Sequence, residues 1–170
     1  MTNYIENITN VFQNYKQLGE KALAQIPDSE LDWQANEDCN SVVAIIKHLW
    51  GNMLSRWTDF LTADGEKPWR QRDAEFENET ISRAHLMAKW EEGWAGMFSA
   101  FSKINDADLD KIVRIRNEKL TVMAAINRQL AHYSYHVGQI VYIAKIRKGK
   151  EWDSLSIPRN KEFNDKNFSK

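Results

Sequence analysis

Apolar residues recur every three or four positions in four long stretches of the chain, which is the spacing of amphipathic helices. The first stretch ends at Pro27, and the second begins at a good helix cap, Asn40 or Ser41. The second stretch has too many apolar side chains for one narrow face, so we expect that helix to lie centrally. The pattern predicts helices over about residues 2–25, 41–61, 81–103 and 121–148.

The segments between these stretches carry weaker patterns. Residues 112–116 alternate apolar and basic side chains, and the polar triplet that begins at Asn117 could turn the chain. This pattern allows a short β-hairpin before the last helix. Residues 62–79 are long and charged, so they form either a functional loop or a solvated connector that Trp69 and Phe76 anchor.

Length and composition favour an all-α four-helix bundle in one domain, with the bundle over residues 1–148 and a polar tail over 149–170. The 23 basic and 24 acidic residues are mixed along the chain, which argues against a nucleic-acid partner. No stretch has the apolar length of a membrane span, and the first residues lack a signal-peptide pattern. Because Cys39 is also the only cysteine, we expect a cytoplasmic location.

Three histidines give the chain its candidate chemistry. His132 and His136 are four residues apart in the last predicted helix, so both imidazoles lie on one face. Such a pair is either a metal-binding pair or two hydrogen-bonded core residues. His48 lies in a stripe of small and polar residues on the second helix. In a four-helix bundle, these three could form a three-histidine site with open coordination positions.

His48 and the segment His132-Tyr133-Ser134-Tyr135-His136 resemble the metal triad of the DinB/YfiT-like superfamily of four-helix bundles. Within it, the chain is similar to a branch described only as a domain of unknown function. Four stretches carry that closer similarity: residues 47–61, 64–70, 126–132 and 154–159. The resemblance implies a divalent metal, nickel or zinc, and a homodimer. Some relatives are S-transferases or isomerases that use a low-molecular-weight thiol such as bacillithiol or mycothiol.

Three hypotheses follow for function. The first is a metal-dependent enzyme related to low-molecular-weight-thiol S-transferases, acting on a small-molecule substrate. The second is a hydrolase that uses metal-bound water, and the third is a non-catalytic, stress-related bundle with a structural metal. Basic groups beside the metal would favour the first hypothesis, and a free carboxylate at the open position would favour the second. A fourth protein ligand would favour the third.

Polar residues near the histidines in sequence are candidates for supporting roles. Asn52 lies one turn after His48, and Gln129 and Gln139 each lie three residues from a histidine, so these three are the catalytic or orienting candidates. Three arginines could bind the carboxylate of an anionic substrate: Arg56, Arg128 and Arg159. The alternative for each arginine is a salt bridge with one of three acids: Asp59, Asp73 or Glu75.

The tail contains one segment with apolar side chains, Ser154 to Arg159. We expect this segment to fold back onto the bundle near the metal, because burying Leu155 or Ile157 would stabilise a short strap. In one interpretation the strap brings Arg159 to an anionic substrate. In the other it only covers the core.

Overall fold

The structure is a computed structural model that describes residues 3–77 and 79–157. Its described part contains four long helices and one two-stranded hairpin, which confirms the predicted fold class. The helices are α1 (Tyr4–Leu23), α2 (Val42–Trp57), α3 (Arg83–Phe101) and α4 (Val122–Lys148). The antiparallel strands β1 (Ile112–Ile115) and β2 (Glu118–Thr121) precede α4.

Side-chain caps fix where the two helices that carry the histidines begin. The Ser41 hydroxyl accepts a hydrogen bond from the Ala44 amide at 3.1 Å, and Thr121 caps α4 in the same way. The predicted second helix was four residues too long, because Thr58 is extended and Asp59 has a φ of 51°. A left-handed residue cannot continue a right-handed helix.

The hairpin is tied to the long segment after α2. Arg116 and Asn117 form its two-residue turn with φ values of 54° and 63°, a conformation that asparagine tolerates well. The carboxylate of Asp64 accepts hydrogen bonds from both of their backbone amides, at 2.9 and 2.8 Å. These bonds hold the turn beside the loop that follows α2.

The helices pack mainly as two pairs, α2 against α3 and α1 against α4. Aromatic rings fill the space between the pairs. Tyr133 of α4 lies 5.8 Å from Phe12 and 5.9 Å from Trp94, centroid to centroid. Tyr133 is fully buried, so α4 presents this ring to the core while its neighbours His132 and His136 face α2.

The described part of the tail folds back onto the bundle as predicted, but Ile157 is exposed and none of residues 152–157 lines the pocket at the histidines. Trp152 and Leu155 are half-buried against the core, and Asp153 exchanges two backbone hydrogen bonds with the Gln25 side chain at 2.8 and 3.0 Å. This contact lies just past the C-terminal end of α1. Arg159 lies outside the described residues. In the part of the chain that the structure describes, none of the helices is long and apolar enough to cross a membrane.

Candidate metal centre

The three predicted histidines meet where α2 faces α4. His48 lies near the middle of α2, and His132 and His136 lie one turn apart on α4. The Nε2 atoms of His48 and His132 are 3.0 Å apart, and one ring nitrogen of each histidine lies within 4.8 Å of the other two. The fourth histidine, His85, is exposed on α3. The structure therefore brings together the three histidines predicted from the sequence, and His85 lies apart from them.

A buried carboxylate orients His48. The Nδ1–H of His48 donates to Glu75 Oε2 at 3.0 Å, which leaves the Nε2 lone pair free to face the other histidines. Arg70 grips the same carboxylate with two hydrogen bonds of 2.7 and 2.8 Å. Burial would raise the pKa of Glu75, but the bonds from Arg70 and His48 outweigh burial and hold that pKa below its usual value. Both carboxylate oxygens of Glu75 therefore already accept hydrogen bonds from Arg70 or His48.

Glu75 and Arg70 were missed as site residues by sequence reasoning. They lie in the segment 62–77, whose predicted anchor Trp69 is 54% exposed. The actual anchors are Arg70, Glu75 and Phe76, whose ring centroid lies 4.8 Å from that of His48. The only available signal was general: a metal-binding histidine usually donates its second N–H to a carboxylate or carbonyl.

Gly51 makes room for this arrangement. A Cβ atom at residue 51 would lie 2.2 Å from Glu75 Oε1, far inside van der Waals contact. Gly51 is one turn after His48 on α2, so the loop carboxylate can cross the helix only where a side chain is missing.

The α4 histidines are held differently. The Nδ1–H of His136 donates to Gln139 Oε1 at 2.8 Å, so the Nε2 of His136 carries the lone pair. Within residues 3–77 and 79–157, neither that Nε2 nor the Nδ1 of His132 has a hydrogen-bond partner, although both are buried. Such unpaired groups cost free energy, and a bound cation would satisfy the Nε2 of His136.

The nitrogen spacing fits a first-row divalent cation. Two nitrogens that each lie about 2.0–2.1 Å from one ion, at about 90–110°, are roughly 2.9–3.4 Å apart. The observed 3.0 Å between His48 and His132 falls in that range. Among the described residues, no aspartate, glutamate or cysteine joins the three histidines as a further ligand. The residues present therefore fit a three-histidine centre with open coordination positions.

Burial and like charge keep the α4 imidazoles neutral. Burial, the imidazoles of His136 and His48, and the guanidinium groups of Arg56 and Arg70 lower the pKa of His132 to about 3. Burial and His48 lower the pKa of His136 to about 4, against the opposing hydrogen bond to Gln139. Neutral imidazole is the form that binds metals.

A pocket of about 440 Å³ opens onto the histidines. Five arginines line it, and no acidic residue of the described chain is among its lining residues. The guanidinium-bearing residues are Arg56, Arg70, Arg72, Arg116 and Arg128. Two of the three predicted catalytic or orienting candidates, Asn52 and Gln129, also line the pocket, whereas the third, Gln139, supports His136 from outside it.

A buried tyrosine fixes the orientation of Asn52. Trp57 Nε1–H donates to the Tyr133 hydroxyl at 2.9 Å, and that hydroxyl donates its single proton to Asn52 Oδ1 at 3.1 Å. The Asn52 carbonyl therefore points to the core, so its NH₂ group is the part available to the pocket.

The predicted arginines differ in their partners. The Arg128 Nη1–H donates to Glu118 Oε2 at 2.8 Å, and the Arg56 guanidinium lies 3.9 Å from Glu66 Oε2. The alternative partners that the sequence suggested were Asp59, Asp73 and Glu75. In the described chain, neither Arg56 nor Arg128 forms a salt bridge with any of the three, because the paths of the loop and hairpin bring other acids closer.

The fold and the histidine cluster define a four-helix-bundle protein with a candidate metal centre between α2 and α4. The chain belongs to a family described as "Protein of unknown function (DUF1572)", whose profile matches residues 1–161. No curated protein matched the sequence. Because the family description assigns no activity, the chemistry of the chain has to be inferred from its site.

Proposed function

We propose that the protein is a metal-dependent enzyme of the DinB/YfiT-like superfamily, related to low-molecular-weight-thiol S-transferases. His48, His132 and His136 would hold a divalent cation, nickel or zinc. The observation that carries the proposal is the convergence of three imidazoles on a cationic pocket, with no further ligand found among the described residues. When bound, the cation would supply Lewis acidity and lower the pKa of a bound thiol or water.

The chain's own residues would position the reactants. Glu75 and Gln139 hold the ring orientations of His48 and His136. Asn52 would donate a hydrogen bond from its NH₂ group to a ligand in the pocket, and the unpaired carbonyl of Gln129 would accept one. Arg56 and Arg128 line the pocket in which we expect the substrate to bind, and Arg159 stays a candidate from the sequence alone.

The thiol-transferase proposal explains the surroundings of the site better than either rival. A free carboxylate at the open position would favour a hydrolase, but Glu75 is engaged by Arg70 and His48. A purely structural metal is usually closed by a fourth protein ligand, and the open pocket lined by arginines contrasts with such a site.

Elemental analysis and a thiol screen test the proposal. The purified protein should retain about one nickel or zinc ion per chain, and His132→Ala or His136→Ala should lose it. His85→Ala is the matched control, since His85 is exposed and outside the cluster. The metal-loaded protein should accelerate transfer of a small thiol to an electrophile such as monochlorobimane. Ester hydrolysis without thiol transfer would favour the hydrolase, and metal retention without either activity would favour the structural bundle.

Two further expectations accompany the proposal. The resemblance suggests a homodimer, which sedimentation analysis of the purified chain would test. The single cysteine, Cys39, supports a proposed location in the reducing cytoplasm.

A further inference from the structure

The Arg56 side chain is the most unusual charged group near the histidines. Arg56 is 4% exposed, yet its Nε and Nη1 have no hydrogen-bond partner anywhere in residues 3–77 and 79–157. Gly65 packs over the guanidinium, where a Cβ atom would lie 2.8 Å from Nη1. A buried guanidinium with two unpaired nitrogens is costly, and an anion bound where Arg56 lines the pocket would offset part of that cost.

Among the described residues, Glu66 is the acid within salt-bridge distance of Arg56, and it is shared. Glu66 Oε2 lies 3.9 Å from Arg56 Nη2 and 3.1 Å from Arg116 Nε, and Glu66 Oε1 lies 3.8 Å from Arg70 Nη1. Because Arg70 is already paired with Glu75, Arg56 and Arg116 share the single Glu66 carboxylate, and Arg56 is the farther of the two from it. This arrangement leaves net positive charge at the wall of the pocket.

Arg56 is also within electrostatic range of the histidines. Asn52 and Arg56 are four residues apart on α2, so both lie on the same helix face as His48. All three residues line the same pocket as His132 and His136. A ligand of a few carbon atoms in this pocket could reach the open positions of the metal centre at one end and Arg56 at the other.

We propose that the pocket contains an anion subsite centred on Arg56, and that the substrate or cosubstrate carries a carboxylate or a similar small oxyanion. The partner group at the histidine end would be a metal-binding atom such as a thiolate, and that part rests on the function proposed above. The exposed rim arginines, Arg116 and Arg128, would attract the anion and contribute less to holding it.

Binding of simple anions to the metal-free full-length chain tests the subsite without relying on any activity. Succinate and inorganic phosphate are the probes, with the uncharged succinamide as matched control, and calorimetry is the measurement. We expect succinate or phosphate to bind and succinamide not to bind. Preference between the two anions would show whether the natural group is a carboxylate or a phosphate. Failure of both to bind would overturn the subsite.

Variants locate the binding. Arg56→Gln should weaken anion binding by about tenfold or more, because the variant loses the charge-assisted hydrogen bonds of the guanidinium. Arg114→Gln is the control, since Arg114 is exposed on β1 and does not line the pocket. Arg56→Lys keeps the charge and should retain part of the affinity. If Arg56→Gln does not fold, Arg128→Gln at the exposed rim should weaken binding about threefold. Equal affinities for wild type, the pocket variants and Arg114→Gln would contradict the proposal.

A pair of thiols separates the subsite from the enzyme function. On the metal-loaded protein, 3-mercaptopropionate should bind at least about tenfold more tightly than the neutral 2-mercaptoethanol, and Arg56→Gln should remove that difference. Anion binding that depends on Arg56, without any thiol binding, would support the subsite and argue against the thiol-transferase function. Equal affinity for the two thiols would support the thiol-transferase function and argue against the anion subsite.

Discussion

Two regions beside the histidines each bury an arginine, and they differ in how that arginine is satisfied. On the loop side, Arg70 binds Glu75 through two short hydrogen bonds, and Glu75 in turn orients His48. On the pocket wall, Arg56 is as deeply buried but leaves two nitrogens unpaired among the described residues. The loop side has the character of fixed structure. The pocket wall has the character of a binding site that is complete only with a ligand.

Replacing each arginine by methionine should give the largest difference in stability between the two regions. Arg70→Met leaves the Glu75 carboxylate buried without its main partner, so unfolding free energy should fall by about 3–5 kcal/mol. Arg56→Met removes a group that lacks partners, so we expect a change of less than about 1 kcal/mol, or a gain. Denaturant unfolding of the metal-free proteins is the measurement. Equal losses would mean that Arg56 is a structural group like Arg70.

Gly51→Ala should disturb the loop side without removing a charge. The new methyl would lie 2.2 Å from Glu75 Oε1, and Glu75 cannot move away without losing Arg70 and His48. We expect a loss of about 1–3 kcal/mol in stability. Because His48 loses its orienting carboxylate, metal affinity should fall by roughly 10–100-fold.

Gly138→Ala is the matched control for Gly51→Ala. Residue 138 also lies in a helix. Apart from the neighbouring backbone of that helix, no described atom lies within 4 Å of the position that its Cβ would occupy. Alanine should therefore stabilise α4 by roughly 0.5–1 kcal/mol through its helix propensity. A similar loss in both variants would show that Glu75 is not the cause.

Acid should weaken the metal-free fold through the α4 histidines. The pKa values of His132 and His136 are about 3 and about 4 in the fold, against about 6.5 in an unfolded chain. Between these values the unfolded state binds more protons, so stability falls as pH drops from about 6.5 towards 4. The melting temperature of His132→Gln/His136→Gln should depend less on pH in this window than that of the wild type.

The same pKa values set the expected pH dependence of metal binding. An ordinary histidine pKa predicts loss of metal near pH 6, whereas the depressed values keep both imidazoles neutral until about pH 4. Metal content measured after equilibration at decreasing pH would therefore stay high through about pH 5. Loss of metal already near pH 6 would contradict this expectation.

Deleting residues 152–170 should have the smallest effect on the site. Trp152 and Leu155 are half-buried on the core, and none of residues 152–157 lines the pocket, so the melting temperature should fall while metal content stays unchanged. The partial burial corresponds to roughly 1–3 kcal/mol of stability. A tenfold loss of succinate affinity in this variant would instead place the tail, with Arg159, in the anion subsite.

The sequence by itself determined most of the helices and the histidine cluster. Helix bounds follow from local periodicity and from caps such as Ser41 and Thr121, which act within one helical turn. His132 and His136 share a face because of their four-residue spacing, and His48 was predicted from its polar stripe on the second helix and matched by the family resemblance. The alternation in residues 112–116 and the polar triplet after it allowed the hairpin that the structure contains.

Only the tertiary structure decided what surrounds the histidines. Glu75 is 27 residues from His48 in sequence, and it reaches His48 because the loop crosses α2 at Gly51. The acids nearest Arg56 and Arg128 are likewise set by the paths of that loop and of the hairpin. Periodicity describes which face of a helix a residue occupies, but an irregular loop has no such rule. Its position follows from the whole set of buried charges that must find partners, and that set is defined only in the folded chain.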